Sequence, residues 1–165
     1  MVKKNKIAIW LNNGTALTRV KKSTALTISM NPVKTEYDFI SDENASTELE
    51  GYKPAIDQDL TMFEGEPDYE MIWKHFYQMS IGADAHTNCV IAFMNRPVDE
   101  AGADIAYGSS TAVAGYRAWQ FDSVLSIKDL AAVDKKINFE ILFGGTINKG
   151  TIVMTSGVPV FTATV

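Results

Sequence analysis

Lys136-Ile137-Asn138-Phe139-Glu140-Ile141-Leu142-Phe143 sets Ile137, Phe139, Ile141 and Phe143 on one parity and Asn138 and Glu140 on the other. A period of two marks a strand with one buried face, because successive side chains alternate across the pleat. Upstream, Tyr116 to Ile127 repeats the pattern, with Trp119, Phe121, Leu125 and Ile127 sharing a parity. Downstream, Thr151–Thr155 and Val160–Thr164 flank Ser156-Gly157, as two antiparallel strands flank a hairpin turn. The last third of the chain therefore reads as strand, with Gly144-Gly145 as a turn device between strands.

Working back toward the N-terminus, Cys89 to Met94 is apolar on both faces and reads as a central strand. Asn95 to Gly115 is a long connection rich in Gly, Ala and Ser, expected to be flexible, ordered by a partner, or a hairpin excursion. Ile56, Gln58, Leu60 and Met62 alternate with Asp57, Asp59, Thr61 and Phe63, which predicts a half-buried strand with two carboxylates on its polar face. Leu26, Ile28 and Met30 form another strand face, stopped at Asn31-Pro32. A strand from Thr35 to Ile40 is expected to fold back on it as a hairpin. Ser41 to Gly51 has few apolar side chains and reads as an exposed loop.

One helix is predicted, from about Pro67 to Met79. Pro67 suits the first helical position, and Asp68 and Glu70 suit the positive end of the helix dipole. Tyr69, Ile72, Trp73 and Phe76 recur at helical spacing and are expected to form the stripe that docks on a sheet. The fold class is thus mainly β, a β-sandwich or partly closed barrel with one flanking α-helix, an extended N-terminal arm and long loops. Residues 1–24 are assigned to the arm and 25–165 to a single β-rich domain.

At 165 residues, with 46% hydrophobic and 21% charged side chains, the chain has the composition of one soluble globular domain. Its net charge of -5 argues against a general duplex nucleic-acid binder. Cys89 is the single cysteine, which excludes an intrachain disulfide and points to a buried thiol. Ile7 to Leu11 is too short for a signal peptide, and no run approaches the length of a membrane span, so folding in the cytoplasm is expected. His75 and His86 lack the company of ligands that zinc requires. Asp57 and Asp59 lack the oxygen-rich turn that would wrap calcium. No nucleotide-binding, triad or cofactor motif is present, so no enzymatic activity and no cofactor are expected.

Charge is unevenly distributed. Residues 1–34 carry seven basic side chains (Lys3, Lys4, Lys6, Arg19, Lys21, Lys22, Lys34) and no acidic one, whereas residues 38–70 carry eleven acidic side chains and only Lys53. One reading is a basic leader followed by a solvated acidic face. The other is that Lys3, Lys4, Lys6, Arg19, Lys21 and Lys22 meet Asp42, Glu43, Glu48 and Glu50 of another copy, fixing register.

Val20-Lys21-Lys22-Ser23-Thr24-Ala25-Leu26-Thr27-Ile28-Ser29-Met30-Asn31-Pro32, the stretch Gly51 to Thr61, Gly65-Glu66-Pro67-Asp68-Tyr69-Glu70 and the run from Lys136 to Thr146 together resemble tail tube (major tail) proteins of long-tailed phages and prophages of Gram-positive bacteria. The likeness spans most of the chain from Val20 onward. It implies a β-sandwich with a flanking helix, hexameric rings built by continuing sheets across subunits, and stacking into a tube around a tape measure protein. It further implies tail terminator and distal tail or baseplate partners, a virion location after assembly in the host cytoplasm, and an acidic lumen that double-stranded DNA crosses in transit. On this basis Ser41–Gly51 would reach the next ring, Met1–Thr24 would lock rings together, and Asp57 and Asp59 would face the lumen. The alternative is a non-enzymatic β-sandwich binding module, with Trp73 or Trp119 stacked on a carbohydrate.

Overall fold

The computed structural model describes residues 4–40 and 43–164. It is mainly β, sandwich-like and antiparallel throughout, with a single flanking helix, as the alternation predicts. The strands are β1 (Ile7–Asn12), β2 (Leu17–Arg19), β3 (Ser23–Ser29), β4 (Pro32–Tyr37), β5 (Ser46–Tyr52), β6 (Ala55–Thr61), β7 (His86–Val98), β8 (Gly115–Ala131), β9 (Lys136–Thr155) and β10 (Val158–Ala163). Helix α1 (Pro67–Gln78) lies between β6 and β7 in sequence. Eight strands form one sheet in the order β2-β1-β7-β8-β9-β6-β3, with β10 also paired to β9, while β4 and β5 pair only with each other.

The core follows the predicted parities. Ile56 and Leu60 of β6, Phe121 and Leu125 of β8 and Ile137, Phe139 and Ile141 of β9 are buried in one cluster, with Ile9, Leu11, Cys89 and Ile91. Phe121 and Phe143 stack at 3.7 Å, and Trp119 meets Phe93 edge-on at 4.9 Å. On the opposite face of β1, β7 and β8, a smaller cluster joins Ala8, Trp10, Val90, Ala92, Ala118 and Ile152. The central position read for Cys89–Met94 is therefore the position of β7, between β1 and β8 and buried on both faces. Burial pushes the Cys89 thiol up, which keeps it protonated and inert.

Several expectations are corrected. Residues 1–24 read as an arm with at most a short strand around Ile7 to Leu11; that strand forms, but it pairs along residues 89–93 of β7 and is almost wholly buried, so it belongs to the sheet and not to an arm. Three large apolar side chains in that short run outweigh its lack of a sustained period, because each contributes roughly 1.5–3 kcal/mol on burial. The pairing of Leu26–Met30 with Thr35–Ile40 does not form. Asn31 takes a left-handed φ of 43° and Pro32 lacks a donor, so the chain kinks there without reversing. The strand β3 pairs instead with β6, and β4 continues the ladder with β5, so residues 46–51, read as loop, are strand.

Gly144-Gly145 is not a turn between strands either. It lies inside β9, where residues 145–147 bulge opposite Phe121 and Gly145 has a φ of 59°. The bulge separates the part of β9 that pairs β6 (136–142) from the part that pairs β10 (150–155). The long connection contracts to residues 99–114, because β7 runs on to Val98. Its first turn is ordered locally: the Asp99 carboxylate accepts the Ala101 and Ala103 N–H groups at 3.0 and 2.9 Å. Asp104 then pairs with Arg117 at 2.7 Å.

Candidate assembly interface

Strands β3 and β6 form the last rungs of the main sheet, and β4 and β5 carry the same ribbon beyond it. At the junction, Lys53 N–H donates to the Asn31 carbonyl and Asn31 Nδ2 donates to the Lys53 carbonyl, both at 3.1 Å. Neither hydrophobic cluster includes a residue of β4 or β5. Six strand residues extend about 20 Å at roughly 3.3 Å each. The result is a two-stranded projection with no core beneath it, a form that is marginal in water by itself.

Its chemistry is acidic and aromatic. Glu36, Asp38, Glu43, Glu48 and Glu50 are exposed, Tyr37 and Phe39 stack at 5.8 Å, and Ile40 is fully exposed. Leu49 and Tyr52 are also exposed. Among the predicted contact residues, Glu43, Glu48 and Glu50 thus fall on one projecting element, whereas Asp42 and Lys3 lie outside the described residues.

The basic residues are placed differently. Lys4 and Lys6 belong to a short 3-10 turn before β1. Arg19 lies over the Trp10 ring at 5.6 Å, while Lys22 approaches Glu66 at 3.9 Å and the Phe63 ring centre at 5.0 Å. Among the described residues, no ion pair joins this group to the acidic hairpin within one copy. What holds the segment in place is a residue the sequence marked only as a favourable helix-end charge. Asp68 is buried, and its Oδ2 accepts the Lys21 and Lys22 N–H groups at 2.8 and 3.1 Å. Replacing Asp68 by Ala orphans both donors and is expected to cost roughly 2–3 kcal/mol, with Asp68→Asn costing less. Urea unfolding midpoints measure it, and an unchanged midpoint would refute the role.

The helix presents a face slightly rotated from the predicted stripe. Met71 and Ile72 are buried in the core and Tyr69 and Phe76 pack against it, but Trp73 is 36% exposed, tilted between Tyr69 and Phe76. Met71 is the missed contact; the stripe centres on the 71–72 side because Asp68, one turn earlier, is also turned inward. The helix ends at Gln78, with Met79 in the left-handed region at φ 47°. His75, in the last turn, is held below the ordinary histidine range by burial and then by Lys74. The unfolded chain therefore takes up a proton more readily at this site, so stability is full above the unfolded pKa and is lost as pH falls below it. Thermal unfolding between about pH 7 and pH 5.5 should show a smaller decline in His75→Gln than in the parent.

Asp57 and Asp59 stand on the outer face of β6, as their parity predicts, and both are engaged. Lys128 donates to Asp57 and lies 3.9 Å from Glu140, and Lys136 lies 3.9 Å from Asp59. The hydrogen bond to Asp57 is the first cause raising the Lys128 pKa. With Asp129 accepting from Asn138 Nδ2 at 2.7 Å, this sheet face holds four carboxylates against two lysines and stays acidic in balance. Among the described residues, no three His, Cys, Asp or Glu side chains converge to hold a metal ion, and no helix is long and apolar enough to cross a membrane. His86, eleven residues after His75, pairs with Asp122 at 2.7 Å on the surface.

No family model matches the chain, and no curated protein matches it. Among solved structures, a chain of the anti-feeding prophage baseplate, from a 6-fold symmetrised cryo-EM structure, is similar over 90% of this chain and 95% of that chain, at 10% identity and a TM-score of 0.45. A likeness at that level assigns neither a family nor a function.

Proposed function

We propose that this chain is a structural subunit of a phage tail or related particle, forming hexameric rings that stack into a tube around a tape measure protein and conduct double-stranded DNA. The observation that carries the proposal is the acidic, aromatic hairpin 32–52, which leaves the body without a core of its own. Such an element gains a reason to exist when a second copy covers it. Two features agree. The sheet ends in edges at β2, β3 and β10, whose free N–H and C=O groups can continue a sheet into a neighbour. The acidic balance around Asp57, Asp59, Asp129 and Glu140 suits a wall that a polyanion slides past, since clustered cations would bind the DNA backbone and hold it.

The resemblance in residues 20–32, 51–61, 65–70 and 136–146 points to such a particle, and terminator, distal tail or baseplate proteins are then its end partners. Of the two tryptophans a carbohydrate module would use, Trp119 is packed between Phe93 and Phe143, while Trp73 is 36% exposed and lies between Tyr69 and Phe76 on α1. Negative-stain images and sedimentation of the purified chain at high concentration test the proposal. Rings or hollow tubes are expected. Monomers across a broad salt range, with and without an assembly initiator, would overturn it.

A further inference from the structure

The hairpin needs an acceptor, and the body offers two concavities of different character. The first runs along Arg19 and Lys21 with Leu17, Pro67 and Met154, the acceptor that the charge asymmetry of the sequence suggests. Its wall also contains Glu66 and Asp68, and its Arg19 already lies over Trp10. The second is a groove of about 720 Å³ between the C-terminal end of α1 and β8, lined by Phe76, Tyr77, Met79, Ile81, Ile127 and Leu142. Tyr77 is 75% exposed and Met79 and Ile81 are each 82% exposed, an apolar rim with none of the described residues of this copy upon it.

We infer that the tip of the hairpin, around Tyr37, Phe39 and Ile40, docks in the α1–β8 groove of a second copy; the inference rests on the assembly reading above and specifies its contact. Apolar matter matches on both sides. Phe39 and Ile40 lack cover in their own copy, and the groove lining is predominantly apolar. Charge matches as well. The described hairpin carries Glu36, Asp38, Glu43, Glu48 and Glu50 against Lys34 alone, while the ionisable side chains lining the groove are His75 and Lys128, with Lys74 beside His75 on α1 and no carboxylate in the lining. Lys128 is shared with Asp57 and Glu140 of the acidic sheet face, so among the described residues Lys74 is the cation at this end of α1 that no ion pair engages. Like charges facing one another across an interface oppose docking, so the groove is the better acceptor than the Glu66-lined concavity. Because the donor and acceptor surfaces are different patches, the contact is heterologous and propagates from copy to copy.

The contact is tested by mixing full-length copies that each carry one new thiol, so that any disulfide between them joins two copies. Phe39→Cys copies are mixed with Ile81→Cys copies, or with Lys21→Cys copies, and oxidised mildly after assembly. Cys89 stays as it is, buried and unreactive. The 39–81 mixture should give at least about tenfold more mixed dimer than the 39–21 mixture, reflecting the higher effective concentration of an engaged pair. Each single variant should retain the parent melting temperature, since both sites are exposed. If the parent assembles but the 39–21 dimer equals or exceeds the 39–81 dimer, or neither forms, the groove is the wrong acceptor and the assembly reading survives. If the parent does not assemble at all, both fall.

Discussion

With residues 33–51 replaced by an Asn-Gly turn, the chain should melt within a few degrees of the parent and lose self-assembly. The ribbon can close at that point because Pro32 faces Tyr52 across the ladder and the Asn31–Lys53 bonds below them are kept. Asn-Gly supplies the two positive φ values that a two-residue hairpin turn demands. The body is expected to be indifferent, since neither hydrophobic cluster draws on β4 or β5. Assembly is not indifferent, because the excised segment holds Phe39, Ile40 and the row of carboxylates. The critical concentration should rise at least about a hundredfold, equivalent to roughly 2.7 kcal/mol per contact. Sedimentation and thermal melting of the same preparations separate the outcomes. Unchanged assembly would remove the hairpin from the interface, and a collapse of the melting temperature would show that it supports the fold.

Gly150→Ala is the change expected to damage the fold most. Gly150 sits in β9 between Ala118 of β8 and Ala163 of β10. A Cβ there would lie 2.1 Å from the Thr162 carbonyl oxygen and 2.9 Å from the Ala163 Cα. Both neighbours are backbone, so relief requires β10 to move off the edge of β9. A loss upward of about 3 kcal/mol is expected, with rapid hydrogen exchange along residues 158–163. Gly51→Ala is the control, because nothing lies within 4 Å of its Cβ position and its φ is ordinary; it should stay within about 1 kcal/mol of the parent. Equal effects at the two glycines would refute the steric account. Freed β9 edge in the Gly150 variant should also produce disordered aggregates in place of regular particles.

What the sequence by itself determined was local. The parity of Ile137, Phe139 and Ile141, the Asp57/Asp59 face of β6 and the Pro67 start of α1 all follow from spacing, because side-chain direction is set by the backbone one or two residues away. The acidity of 36–50 was equally legible. Pairing was not. That β3 joins β6 and not β4 depends on a kink at Asn31 and on a partner about thirty residues on, and that β1 is interior depends on β7, roughly eighty residues away in the chain.

The same distance hid the assembly surface. In the sequence Phe39 and Ile40 belong to the end of a strand and Tyr77 and Met79 to the end of a helix. Only the tertiary structure decided that the first group projects past the last rung of the sheet and that the second lines an open groove beside β8. Burial is a sum over the whole fold, and no window of sequence contains that sum.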